Sequence, residues 1–100
     1  MYKVRYLPLA EADVLEAVSY IADTLDAPKA AADLLEALDK AVEQIAVFPY
    51  ANPLYQTTRP MKDELRMAVV KNYVLYYSVK EDSVELRRFL HGRRDRDRWL

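Results

Sequence analysis

The strongest constraint in this sequence lies at residues 64–90, where three apolar stretches with strand-like alternation are separated by two short turn signals. Residues 65–70, 73–79 and 84–90 each alternate with period two. Lys71-Asn72 has the length of a two-residue hairpin turn, with Asn tolerating a left-handed backbone, and Glu81-Asp82-Ser83 supplies the next turn. Such a segment must form a three-strand antiparallel meander, and the rest of the chain must cover one of its faces. Alternation sorts those faces. Leu65, Met67 and Val69 oppose Arg66, Ala68 and Val70. Tyr73, Leu75, Tyr77 and Val79 oppose Val74, Tyr76 and Ser78. Val84, Leu86, Arg88 and Leu90 oppose Glu85, Arg87 and Phe89. One face is therefore expected to be apolar and helix-covered, and the other mixed and available to a partner.

The preceding half supplies the cover. Residues 2–7 alternate and read as a strand, which Pro8 ends while pre-setting the first turn of a helix. From about residue 10 to 25, Val14, Val18, Ile21 and Leu25 recur at helical spacing, with Leu15 and Ala22 widening the stripe. Asp26-Ala27-Pro28 breaks and restarts the chain, with Asp26 or Ala27 as N-cap. A second helix follows to about residue 47 on a stripe of Ala31, Leu34/Leu35, Leu38, Val42 and Ile45, and Phe48-Pro49 closes it. Neither helix is stable alone, so the two form a hairpin against the sheet. Pro49, Pro53 and Pro60 mark residues 49–63 as a surface connection. The expected fold is α+β: an antiparallel four-stranded sheet with a two-helix hairpin on one face, in the order β-α-α-β-β-β. Residues 1–100 make one domain with a basic tail at 93–100. The neighbour of the first strand is left open.

Composition narrows the function. The 100 residues contain no cysteine and one histidine, which excludes a disulfide framework, a thiolate metal site and a histidine-rich one. No cofactor, metal or small-molecule substrate is expected. The start, Met1-Tyr2-Lys3-Val4, does not read as a signal peptide, and no apolar run approaches the ~20 residues of a membrane helix, so a reducing cytoplasm fits. The net charge of −1 conceals a division: residues 1–58 carry four basic and nine acidic side chains, and residues 59–100 carry eleven basic and seven acidic. The C-terminal part suits an anionic or acidic partner, whereas the whole chain lacks the strongly basic character of an autonomous nucleic-acid binder.

Arg66, placed on the sheet face away from the helices, is either a guanidinium fork for phosphate or carboxylate, or half of a cross-strand pair with Glu85. His91 is the natural proton carrier, and RNA backbone cleavage would need one, with cations such as Arg66, Arg87 and Arg93 around the phosphate. Alternatively, His91-Gly92 merely ends the strand. Arg93, Arg94, Arg96 and Arg98 either form a basic edge for a partner or neutralise Asp95 and Asp97 in a solvated tail. Tyr73, Tyr76 and Tyr77 stack on bases or fill a half-buried strand.

Phe48-Pro49 closing the second helix, Leu65-Arg66 opening the meander, Asn72-Tyr73 in the turn, Tyr76-Tyr77 at the strand centre and Phe89-Leu90-His91-Gly92-Arg93-Arg94-Asp95 at the exit resemble the RelE/ParE toxin superfamily over nearly the whole chain. The resemblance implies the toxin of a type II toxin–antitoxin (plasmid stabilisation) module, neutralised by a cognate antitoxin. RelE-like members cut mRNA on the ribosome and ParE-like members poison DNA gyrase. The 49–63 loop has no lysine cluster beyond Arg59 and Lys62, no tyrosine follows the last strand, and Leu7-Pro8 stands where Ser/Thr-Pro is common. The ending looks more ParE-like, which implies a gyrase inhibitor with no catalytic residues of its own. Arg59, Lys62, Arg66, Arg87, Arg93 and Arg94 are then the candidate contacts with target or partner. The alternatives are a ribosome-dependent endoribonuclease using Arg66 and His91, and a member that binds its antitoxin without killing.

Overall fold

In the computed structural model, residues 1–56, 60–93 and 96–100 are described, with the backbone alone at 96 and 97. The chain runs β1 (Lys3–Tyr6), α1 (Pro8–Ser19), a π-helical turn (Tyr20–Thr24), α2 (Pro28–Val47), β2 (Arg66–Val70), β3 (Tyr73–Val79), β4 (Ser83–His91) and α3 (Arg96–Trp99). The four strands form one sheet in the order β1-β4-β3-β2. β2, β3 and β4 are the antiparallel meander, but β1 lies parallel to β4, with Lys3 opposite Ser83 and Tyr6 opposite Leu86. The sheet is therefore mixed, not purely antiparallel. The helix hairpin carries the chain between β1 and the meander, and a crossover of that length permits a parallel neighbour.

The hairpin covers one face. Ala10 and Ala17 of α1, and Leu34, Leu38 and Ile45 of α2, pack on Ala68, Val70, Leu75, Tyr77, Val84, Leu86 and Phe89. The other face carries a smaller apolar cluster, Val74, Tyr76 and Leu90, with Met67, Tyr55 and Leu100 packed against it. Two local irregularities set which residues reach which face. At Tyr76/Tyr77 the β3–β4 register shifts: Tyr77 opposes Leu86 and Tyr76 opposes Arg88, so Arg87 is the extra residue of a β-bulge. Phe89 consequently joins Leu86 under the helices, while Leu90 moves to the opposite face, against simple alternation. The π turn is the second irregularity. Leu25 N–H donates to the Tyr20 carbonyl, five residues back, and Asp26 closes the turn with φ 51°. The wider turn shifts the helical phase, so Leu25 is 54% exposed instead of completing the stripe. Leu15 precedes the turn and simply lies on the outer side of α1.

Pro28 opens α2 at its first turn, where its missing N–H costs nothing, and Ala27 is an N-cap without a side-chain bond. The hairpin turn is two residues, as its sequence predicts, but the left-handed residue is Lys71 (φ 56°), not Asn72. Segment 53–55 runs beside β2: Met67 N–H donates to the Pro53 carbonyl and Tyr55 N–H to the Leu65 carbonyl. This occupies the first half of the β2 edge and leaves Val69 beyond it, 74% exposed.

Candidate functional site

Arg66 lies on the helix-covered face, not away from it. Val70 pairs with Tyr73 across the two-residue turn, so Arg66 stands opposite Tyr77 and shares its face. Its guanidinium donates to the Asn52 carbonyl at 2.7 Å and to the Tyr50 carbonyl at 3.4 Å, and sits 5.0 Å from the centre of the Tyr50 ring. Tyr77 completes this corner: its hydroxyl donates to the Pro49 carbonyl at 2.8 Å and accepts from Asn52 Nδ2 at 3.1 Å. Burial holds the Tyr77 phenol above its ordinary pKa, which keeps it a donor. Arg66 and Tyr77 together tie the loop leaving α2 to the first residues of the meander. Glu85, the expected partner of Arg66, instead accepts from Arg5 at 2.8 Å.

His91 ends β4 at the opposite pole, paired with Tyr73. With Glu16, Ala17, Tyr20, Tyr73, Phe89 and Arg93 it lines a groove of about 540 Å³ between the end of α1 and the sheet. The Tyr73 and Phe89 rings stack at 4.9 Å, and His91 meets Tyr73 edge-on at 5.3 Å. His91 Nδ1 accepts from the Arg93 backbone N–H at 3.2 Å, which is strand-ending geometry. The pairing partners of Arg66 and His91 are four residues apart on β3, about 13 Å along the strand, and the two residues flank β3 from opposite sides. The structure therefore does not bring the cation and the proton carrier together.

The other predicted cations separate too. Arg87 and Lys80 converge on Asp63, at 3.3 Å and 2.9 Å, and fasten the loop before β2 to the meander. The hydrogen bond from Lys80 holds the Asp63 carboxyl below its usual range. Arg87 also reaches Ser78 Oγ at 3.5 Å, and Lys80 continues the chain of charge to Glu85. Lys62 and Arg93 are exposed. Arg59 and Arg94 lie outside the described residues. Among the described residues no group of His, Asp and Glu side chains is arranged to hold a metal ion, and no helix is long and apolar enough to cross a membrane.

Sequence reasoning missed the most enclosed ion pair among the described residues. Arg88, expected on the apolar face, turns at the bulge and forks Asp13 of α1 at 2.8 and 3.0 Å. The same carboxylate accepts the Phe89 backbone N–H at 2.9 Å, so Asp13 substitutes for the neighbouring strand that β4 lacks beyond Tyr6. The hydrogen bond with Asp13 raises the Arg88 pKa further above its already high value. A lone acid on the inner side of a helix was the available signal.

The described site is thus a set of fastened loops and an aromatic groove at the end of α1. No curated protein matches the sequence. Among solved structures, a chain of the chromosomal ParDE toxin–antitoxin system from P. aeruginosa superposes with a TM-score of 0.68, covering 91% of this chain and 96% of that one at 14% identity. That likeness establishes the shared fold. The sequence model of the ParE toxin of the type II toxin–antitoxin system parDE matches residues 4–96. With nearly its entire length matched, this chain belongs to the ParE toxin family of type II toxin–antitoxin systems.

Proposed function

We propose that this protein is a growth-inhibiting toxin, silenced by a cognate antitoxin in the cytoplasm, that acts by binding DNA gyrase. The family match over residues 4–96 carries the reading. The separation of Arg66 from His91 supports binding over catalysis, because RNA cleavage needs a proton carrier and a phosphate-binding cation at one scissile bond. Arg66 is also committed to the Asn52 and Tyr50 carbonyls, and His91 to the Arg93 N–H. The target contacts then fall to the exposed cations Lys62 and Arg93, with Arg59 and Arg94 as further candidates from the sequence, rather than to a reactive centre. Arg87 contributes by holding the loop that carries Lys62.

Purified gyrase titrated with the purified protein tests this. Inhibition of supercoiling with accumulation of cleaved DNA is the expected outcome, and His91→Ala retains it. Absence of an effect, together with mRNA cleavage in a translating extract that His91→Ala abolishes, would overturn the proposal in favour of an endoribonuclease.

A further inference from the structure

One ion pair joins three elements that are distant in sequence. The Arg88 guanidinium on β4 forks Asp13 on α1 through Nε and Nη2, and its remaining Nη1 donates to the Trp99 carbonyl on α3 at 2.7 Å. Its plane also lies over the Trp99 ring, 5.8 Å from the centre. The two charged side chains are only 14% and 10% exposed. α3 has four residues, too few to be stable by themselves, so its position depends on what it touches. Those contacts include Arg88 and, through the following residue Leu100, the apolar cluster of Val74, Tyr76 and Leu90.

Enclosed ion pairs are weak stabilisers, since apolar replacements often do as well, and their strength is fixed geometry. Only a guanidinium can fork a carboxylate and still donate to a third group. We propose that Arg88 is a positioning residue that holds the C-terminal helix against the sheet, so that the exposed Arg98 of that helix meets an acidic protein surface on the target from a fixed place. The proposal rests on the reading of this chain as a toxin that acts by binding.

Trp99 is the only tryptophan, so its fluorescence reports directly on docking of α3. The experiment compares the full chain, Arg88→Lys, Trp99→Ala and a chain ending at residue 95, each for thermal melting and for growth inhibition when induced without antitoxin. Trp99 quenching by acrylamide is read in the first two. Arg88→Lys keeps a charge beside Asp13 but loses the fork. It is expected to melt close to the parent, to raise the quenching of Trp99 above that of the parent, where the side chain is already 44% exposed, and to inhibit growth about tenfold less, the scale of one lost charge-assisted contact. Trp99→Ala loosens α3 without touching the ion pair and reduces potency in the same direction. Truncation costs a similar factor, and combining it with Arg88→Lys adds no further loss, because both act through α3. Freed Trp99 with undiminished potency, or losses that multiply, would overturn the proposal. A parent chain without toxicity removes the functional reading and the presenting role together, while quenching of Trp99 still reports whether Arg88 holds the helix.

Discussion

Arg66 shows how a residue selected for its chemistry can belong to the architecture. A guanidinium early on a strand suggests an anion site, yet here it donates to two backbone carbonyls of the loop that leaves α2. Tyr77 does the same from the next strand, with its hydroxyl between the Pro49 carbonyl and the Asn52 amide. Removing that hydroxyl leaves a buried carbonyl without its donor, so Tyr77→Phe is expected to destabilise the protein by about 1–3 kcal/mol in urea unfolding. A loss below a few tenths of a kcal/mol would mean that water replaces the phenol. His91 is the converse case. Its bond from the Arg93 N–H is a local turn contact that many polar residues could supply.

At the scale of elements, much of the molecule was legible. The two helices, the meander and the hairpin lengths follow from periodicity and punctuation, and the Tyr73, Leu75 and Tyr77 face packs under the helices as alternation requires. What was lost depended on one-residue changes of phase. The bulge at Arg87 exchanges the faces of Phe89 and Leu90, and the π turn pushes Leu25 outward, because alternation and the 3.6-residue repeat both assume that no residue is added. The face of Arg66 was within reach: a two-residue turn places Val70 opposite Tyr73, and counting back assigns Arg66 to the side of Tyr77. The Arg88–Asp13 pair was not, since it depends on the bulge and on the parallel placement of β1. The hairpin gives a test at this scale. Lys71 adopts φ 56°, a region costly for a side chain with Cβ, so Lys71→Gly is expected to stabilise by about 0.5–1 kcal/mol in thermal melting. Destabilisation would show that the lysine makes a contact outweighing the strain.

For the whole molecule, charge helps to hold the loop before β2 in place. Asp63 receives Lys80 and Arg87, and its carboxyl is held below its ordinary value. The folded state therefore favours the ionised form. That contribution is full above about pH 4 and is lost as pH falls through the depressed folded value. Melting curves of the parent and Asp63→Asn are expected to differ by a constant amount from neutral pH down to about pH 4 and to converge below it. A gap that persists at pH 2 would assign the difference to packing.

The parallel seating of β1 on β4 also imposes an order of events on synthesis. Lys3 pairs with Ser83 and Tyr6 with Leu86, so the first strand made must wait for the last before it has a neighbour. Ribosome-stalled chains ending before residue 83 are expected to remain open to protease at β1, whereas chains long enough to expose 83–91 are protected; early protection would contradict this. The seating of the opening strand is thus a late step, set by the emergence of residues 83–86 and not by the strand's own synthesis.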